Sequence, residues 1–513
     1  MSDPLATSYD ELPYDDHVFG YAQPANLATV AALHGLDPPP LDRCRVLDLG
    51  CATGANLLPM AVARPGAELV GVDLSPRQIA QGRQTVARLG LTNVTLHARS
   101  VLDPTDDLGT FDFIICHGVY SWVPPAVQEG LLNVFHRHLA PEGLAYISYN
   151  TYPGWHLRGM ARDALRFHAS GVSGGPAART AQAKAFLDFL VDSLPEQDTA
   201  YANILRREAA HLRDLPDSYV FHEHLETDNR PVYFHEFATH AAGHGLQYLA
   251  EASPQPLPGN LKPGTLEALA GLGADRLRME QYLDFIRCRV FRRSVLCHAA
   301  VRPERDVMVD RIPSLAVSSP AKPEAAVPNP DPAARETFVV SDNVKFATAD
   351  AQLRAALWRV WQARPAAVPF ADLHAAAGGP PRELADGLLQ LYLAAVIDLH
   401  LHPPALVTSP GARPCASPFA RLQAERGDKR VYSLSHNAID PDPFARYLLP
   451  LLDGAHTRAE VVDLLAARAA AGEFAVHDGA GQTITDAALV GPALTDWVES
   501  ALDRLAKAGL LNA

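Results

Sequence analysis

The residues with the clearest chemistry lie in one turn. The stretch "RVLDLGCATGANLLP" (Arg45–Pro59) runs from apolar residues into a glycine-bearing turn, with Asp48 inside the run and Gly50 and Gly54 in the turn. A glycine turn that opens a helix offers backbone N–H groups to an anion, and a pyrophosphate is the usual guest when the spacing is G-x-G-x-x-G. Here the spacing is Gly50-x-x-x-Gly54, and a carboxylate aimed into the site would repel a pyrophosphate. The arrangement suits a ligand with a cationic end beside an anionic one. Asp48 can take an ammonium, and the N–H groups around Cys51–Ala55 can take a carboxylate at the following helix's N-terminus. Glycine lets backbone and ligand approach without a Cβ between them. A second acid, Asp73, closes the next apolar run in "GVDLS", where it can accept from both hydroxyls of a ribose. Two acids flanking the turn in this way point to S-adenosylmethionine rather than NAD.

A second group of residues could receive what such a donor gives. "CHGVYSWVP" and "SYNTYPGWH" end two later apolar runs. They place His117, Tyr120, Trp122, Tyr149, Asn150, Tyr152, Trp155 and His156 around one expected mouth, in a chain only 7% aromatic. Aromatic faces stabilise a sulfonium by a cation–π term of about 0.5–2 kcal/mol. They also desolvate an incoming amine, lowering its pKa. His117, Tyr120, Tyr152 and His156 are the candidates to handle the amine's proton; for each, a pocket-wall or packing role stands beside the catalytic one. Trp122, Tyr149, Asn150 and Trp155 are candidate acceptor contacts, with His222, His224 and Tyr233 from "FHEHLE" and "VYFHEF". His222 and His224 are expected on one strand face, with His235 close behind. Their spacing matches no zinc pattern and methyl transfer needs no metal, so none is expected.

The elements that must position these groups follow from the apolar pattern. Between Arg45 and Asn150, "RVLDLG", "ELVGVDLS", "VTLHARS", "FDFIICHG" and "AYISYN" are short apolar runs separated by helix-length segments. This predicts βαβ units in a doubly wound, mostly parallel α/β sheet of Rossmann-like type, with ligands at the strands' carboxyl ends. A helical lid insertion is expected over about 157–216. "HEFATHAAGHG" then leads back into the sheet, and "QYLDFIRCRVFRRSVLCH" is expected to supply the final helix and edge strand. Prolines crowd 301–345, read as a linker. Two mostly helical, winged-helix-like modules are expected at 346–402 and 429–513, with a second linker at 403–428.

The bulk properties narrow the class. At 513 residues, 48% hydrophobic and 20% charged, the chain is an ordinary globular one with room for several domains. No apolar stretch approaches the length of a membrane span, and the polar, acidic start does not read as a secretory signal. The six cysteines form no C-x-x-C pair, which fits a reducing cytoplasm. A net charge of −14 gives no support to nucleic-acid binding, and acids outnumber bases in 429–513.

On "VLDLGCATGANLLPMA", "VGVDLSPRQIAQG", "FDFIICHGVYSWVP" and "YISYNTYPGWH" the chain resembles the class I SAM-dependent methyltransferases. With "FHEHLE", "YFHEFATHAAGHGLQYLAEA" and "EQYLDFIRCRVFRRSVLCH" it is similar to the bacterial subgroup carrying a methyltransferase regulatory domain, whose members include rickettsial-type protein-lysine methyltransferases. The resemblance covers residues 1–300, with the regulatory region at about 217–300. It implies donor binding by Asp48, Gly50, Gly54 and Asp73. Cys51, Asn56, Leu74, Ser100, Val101, His117 and Tyr14 complete the candidate donor set. Ser100 departs from relatives that have an acid near the adenine amine, with Asp103 nearby. Tyr9 and Tyr14 lie in an N-terminal arm that could close over the donor. The expected activity is methyl transfer to nitrogen of a protein or peptide, leaving S-adenosylhomocysteine. A small metabolite as acceptor and a non-catalytic SAM-binding regulator are the alternatives.

Overall fold

The computed structural model of the chain describes residues 12, 16–195, 197, 199–254, 256, 261–262, 264–272, 275–331, 333–478, 482–484 and 486–512. The apolar runs form strands β1 (Arg45–Leu49), β2 (Glu68–Asp73), β3 (Val94–Ala98), β4 (Phe111–Cys116) and β5 (Leu139–Asn150), joined later by β6 (Leu246–Glu251) and β7 (Phe291–His298). They make one sheet in the order β3-β2-β1-β4-β5-β7-β6. β1 to β5 run parallel, and β7 enters antiparallel to both β5 and β6. The order reverses between β1 and β4, so the crevice belongs at the carboxyl ends of those two strands. Both strands are covered on both faces: Val46, Leu47, Phe113, Ile114 and Ile115 are buried. That is why they read as continuous rather than alternating apolar runs.

The edge-strand expectation for "FRRSVLCH" is corrected. β7 lies between β5 and β6, and β6 forms the edge. Central placement buries Arg292 completely, and its guanidinium is met by Asp284 (2.7 Å), Glu251 (2.8 Å) and Glu280 (2.9 Å). A buried charge survives only when paired in this way.

The helices that matter to the crevice are α1 (Pro24–Leu33), α2 (Leu58–Ala63), α3 (Pro76–Arg88) and α4 (Pro125–His138). Ser75 N-caps α3 by accepting from the Gln78 N–H at 3.1 Å, the usual way to satisfy an orphan amide. After β5 the helices α5 (Gly154–Ser170), α6 (Pro176–Asp192) and α7 (Ala200–Arg213) form a layer with its own core. Leu165, Leu187, Leu205, Leu212 and Phe221 meet there. α8 (Phe234–Gly243) and α9 (Arg276–Arg287) return to the sheet.

The proline-rich stretch 301–345 is more than a tether. Ile312, Leu315, Val317 and Phe338 are buried in the core of a module whose helices are α10 (Ala351–Ala363), α11 (Phe370–Ala377) and α12 (Pro381–Leu393). Four apolar anchors among the prolines are enough to fold it down. The last module is built on α13 (Pro418–Arg426), α14 (Arg458–Ala470) and α15 (Ala487–Lys507). Thr457 and Glu460 form a capping box at the start of α14. α13 falls inside the stretch 403–428 read as a linker, and its Phe419 is buried. Among the described residues, no helix is long and apolar enough to cross a membrane.

Candidate active site

The donor crevice begins where β1 stops. Gly50 has φ +73°, and a Cβ there would lie 2.4 Å from Val119 Cγ2 at the tip of β4. Only glycine fits both the backbone angle and the close approach of the two strand ends. The turn is then wound tightly. The Gly50 and Cys51 N–H groups donate to Val72 O (2.8 and 3.2 Å), and the Gly54 N–H donates to Cys51 O (2.7 Å). Ala52 N–H donates to Asp73 Oδ2 at 2.9 Å. This corrects one expectation, because three of the amides assigned to a ligand carboxylate, those of Cys51, Ala52 and Gly54, are satisfied within the protein. Cys51 turns its thiol back onto β2 beside Gly71, and burial pushes its pKa well up. It packs and does not react.

The two acids lie as the sequence reading placed them. Asp48 is buried; burial pushes its carboxyl up to about 7, against a hydrogen bond from Asn56 and with the charge of Asp73 adding to the rise. Asn56 Nδ2 donates to Asp48 Oδ2 at 3.3 Å, and its Oδ1 accepts the Phe19 N–H at 3.0 Å. Asp73 accepts the Ser75 N–H at 2.8 Å as well as that of Ala52, which fixes its carboxylate. Leu74 beside it is partly exposed. Past β3, the Ser100 N–H donates to Asp103 Oδ2 (2.8 Å), and the Ser100 hydroxyl accepts from Leu102 N–H (3.1 Å). Val101 packs on the apolar cluster above β4 and β5. Tyr14 and Tyr9 lie outside the described residues.

S-adenosylmethionine fits this set. A buried carboxyl held up to about 7 lacks a cation, and an ammonium beside it would restore the ionised form. The fixed carboxylate at the end of β2 suits a diol.

The arm before α1 supplies groups that the sequence reading missed. The Phe19 ring stacks on His117 at 3.7 Å between centroids. Thr53 Oγ1 of the glycine turn donates to Asp16 Oδ1 at 2.5 Å. Arg293 lies over Tyr21 at 4.2 Å. The signal was present in the aromatics of "DDHVFGYAQP", but a contact across 37 residues is not visible in local pattern. His117 Nδ1 meets Tyr146 Oη at 2.8 Å. Burial, with Arg293 and His17 nearby, pushes its pKa down to about 3. The imidazole is therefore neutral near pH 7, stacked under Phe19.

Strand alternation sorts the expected mouth into two groups. Side chains alternate along β5, so Tyr146 and Ser148 face the crevice while Tyr149 faces α8. Tyr149 stacks on Phe237 at 4.1 Å and bonds Ser294 Oγ at 3.0 Å. Tyr120 lies edge-on to the same Phe237 at 5.3 Å and bonds His240 Nδ1 at 2.7 Å. Burial raises both phenol pKa values. These two residues are core, and the expectation that they surround the mouth is corrected.

The others do come together. Gly154 opens α5 so close to the start of β7 that a Cβ there would lie 2.4 Å from Val290 Cγ1 and 2.5 Å from Arg289 O. This approach sets Trp155 and His156 at the tip of β5. Trp155 meets Trp122 edge-on at 6.1 Å. Tyr152 stacks on His156 at 4.0 Å and lies 5.3 Å from Tyr233. His156 Nε2 and Tyr233 Oη are 3.2 Å apart. Tyr233 is the N-cap of α8, held there by its N–H donating to Glu236 Oε2 at 2.9 Å. Phe285 of α9, 48% exposed, lies 5.8 Å from Tyr233. Burial and the neighbouring Tyr233 raise the Tyr152 phenol's pKa. Asn150 is buried, its N–H on Ser121 Oγ (2.8 Å) and its Nδ2 on Asn229 Oδ1 (3.0 Å).

His222 and His224 are not on a strand. Phe221–Leu225 is a π-helical turn. His222 bonds Glu226 Oε1 (3.0 Å) and Leu12 O (2.6 Å), while His224 faces Glu208 at 3.3 Å and burial lowers its pKa. Both histidines join the helical layer together, away from the mouth. His235 bonds Gln281 at 3.0 Å. Among the described residues, only Glu129, His240 and His244 cluster closely enough to share an ion. There, the Glu129 carboxylate meets both imidazoles at 2.9 Å, bracing the His240 that holds Tyr120.

Three segments of the chain match known family profiles. Residues 47–145 match the profile of a methyltransferase domain, 216–298 that of a predicted methyltransferase regulatory domain, and 412–510 that of the PKMT C-terminal winged helix domain. The chain is 43% identical over 305 residues to the uncharacterised protein RP789 of Rickettsia prowazekii, a match spanning 59% of this chain and 55% of that protein. It is 44% identical over 230 residues to RP028 of the same organism, spanning 45% of this chain and 92% of that one. Its fold superposes on PKMT2 from Rickettsia typhi, solved in complex with AdoHcy. That match has a TM-score of 0.88 and 30% identity, over 98% of this chain and 100% of that one.

Proposed function

Because the chain belongs to the class I SAM-dependent methyltransferases that carry a methyltransferase regulatory domain, we propose that its acceptor is the side-chain nitrogen of a lysine in a protein or peptide. The observation that carries this reading is the open aromatic cluster of Tyr152, His156 and Tyr233. His156 is exposed and Phe285 stands beside the cluster in solvent. Leu157 and Val290, 37% and 38% exposed, continue the apolar surface. A chain can lie across such a rim; a small metabolite would need enclosure. The similarity to PKMT2 supports the same acceptor class.

The donor supplies a methyl group activated on a sulfonium. This chain's residues hold and orient it, Asp48 at the ammonium and Asp73 at the ribose. Orientation of the two reactants provides most of the acceleration in a displacement of this kind. A lysine must arrive neutral, which at pH 7 costs about 4–5 kcal/mol from its reference pKa. Tyr152, Tyr233 and Trp155 offset part of this by taking water from the ammonium. His156, exposed and bonded to Tyr233, passes the released proton to solvent. In this reading, the groups that touch donor and acceptor lie in residues 1–300. The six cysteines are free thiols, which supports a reducing, cytoplasmic setting.

The test is to incubate the full chain with tritiated methyl donor and a cell lysate, then separate protein from small molecules. Label on lysine in protein is expected. Label only in the small-molecule fraction overturns the reading, and no label in either favours a regulator.

A further inference from the structure

We propose that Tyr432 of the C-terminal winged-helix module is a positioning residue for methyl-donor binding, its hydroxyl holding an N-terminal strap across the glycine turn. The inference is independent of which acceptor is methylated.

The strap is the segment 16–21, and it touches the donor crevice at three places. Asp16 accepts from Thr53 in the glycine turn. The Phe19 N–H donates to Asn56 Oδ1, and Asn56 donates onward to Asp48. The Phe19 ring covers His117. Asp16–Phe19 of the strap lie in no helix or strand, and a single 3₁₀ turn, Gly20–Ala22, joins them to α1. A segment without ladder bonds needs another anchor to keep one conformation.

That anchor comes from the far end of the chain. Tyr432 Oη donates to Asp16 O at 3.0 Å, across 416 residues of sequence. Tyr432 is itself fixed, because it is 3% exposed and its N–H donates to Gln423 Oε1 of α13 at 2.9 Å. Val18 of the strap packs with Phe419, Tyr432, Ala55 and Leu58 in one buried cluster. Ala55 and Leu58 are the residues that lead from the glycine turn into α2. His436, 4% exposed, lies against the Gly20 backbone. The module is registered on the donor domain by Arg426 Nη2 donating to Thr85 Oγ1 of α3 at 2.8 Å. Phe419 and Tyr432 thus pack with the strap's Val18 against the residues that follow the glycine turn.

The chain of contacts runs from Tyr432 through Asp16 to Thr53. In the full-length protein, Tyr432→Phe removes the first link and keeps the ring. Its expected effect is an AdoHcy dissociation constant raised about 2- to 10-fold, the range for losing a hydrogen bond, since the hydroxyl bonds Asp16 O and lies 3.4 Å from His17 Nδ1 of the same strap. The KM for the donor rises with it, while kcat at saturating donor stays near wild type. The rise in melting temperature on adding AdoHcy shrinks. Thr53→Val alone weakens binding, and the double variant is no weaker than the worse single one, because both act through the one strap. Tyr447→Phe is the control: it removes a hydroxyl bonded to Glu473 O in the same module, away from the strap, and leaves AdoHcy affinity unchanged. Wild-type affinity in Tyr432→Phe, full additivity in the double variant, or an equal loss in Tyr447→Phe would each overturn the proposal.

Discussion

The donor crevice and the acceptor mouth occupy neighbouring tips of one sheet and are built in opposite ways. The centre of the donor side is local, and only its strap comes from elsewhere in the chain. Asp48, Gly50, Asn56 and Asp73 lie on two adjacent strands and the turn between them, and backbone amides hold the turn's shape. The acceptor side is assembled from distant pieces: Trp122 after β4, Tyr152 and His156 after β5, Tyr233 at the start of α8, and Phe285 on α9. One is a motif, and the other is a meeting place. A general binding function for an invariant cofactor can reside in a short segment. Recognition of a variable acceptor depends on side chains brought together by the whole fold, so it can change without disturbing the donor.

The comparison breaks first at the two acids. Asp48→Ala or Asp73→Ala should weaken AdoHcy binding about 100-fold or more, since each removes a charge-assisted partner. Titration calorimetry reads this directly, and near-normal binding by either variant would dissolve the donor side as drawn.

A pH series sharpens it next. In the free protein the Asp48 carboxyl is raised to about 7, so it carries its proton at acid pH and must lose it to meet an ammonium. AdoHcy affinity should therefore fall about tenfold per pH unit below 7 and level off above it. Asp48→Asn should flatten the profile. The unliganded fold behaves in the opposite sense: a raised carboxyl favours folding at low pH, and that contribution is lost as pH rises from about 4 to 7.

On the acceptor side, His156→Ala or Tyr152→Phe should lower kcat about 10-fold while leaving the AdoHcy dissociation constant as it was. A parallel loss of donor binding would show that the two sides are not separable.

The smallest effect belongs to a residue that looked functional. Tyr120→Phe removes only a buried bond to His240. It should cost about 1–2 kcal/mol of stability by thermal or urea unfolding with kcat/KM unchanged. A large kinetic effect would return Tyr120 to the mouth.

How much of this was legible depended on range. The order of strand and helix through residue 150, and the two acids flanking the turn, were readable because neighbours in sequence create them. Tyr149 was misplaced because the reading put every residue of a strand tip at the mouth, whereas alternation along β5 sends it to the other face. The two histidines of "FHEHLE" were misplaced because a π-helical turn and a strand are hard to distinguish over five residues. The inner place of β7 was not legible, because strand order is set by partners distant in sequence. Only the acids of α9 and β6 make its burial tolerable.

By itself the sequence determined the parallel sheet, the glycine turn after β1 and the donor that turn can hold, because hydrophobic periodicity and backbone geometry act over a few residues. Tertiary structure decided the rest. It moved β7 inward, separated Tyr120 and Tyr149 from Tyr152 and His156, and brought Tyr432 onto Asp16. Those outcomes depend on which buried charges and apolar surfaces find partners across the chain, and no local pattern records that pairing.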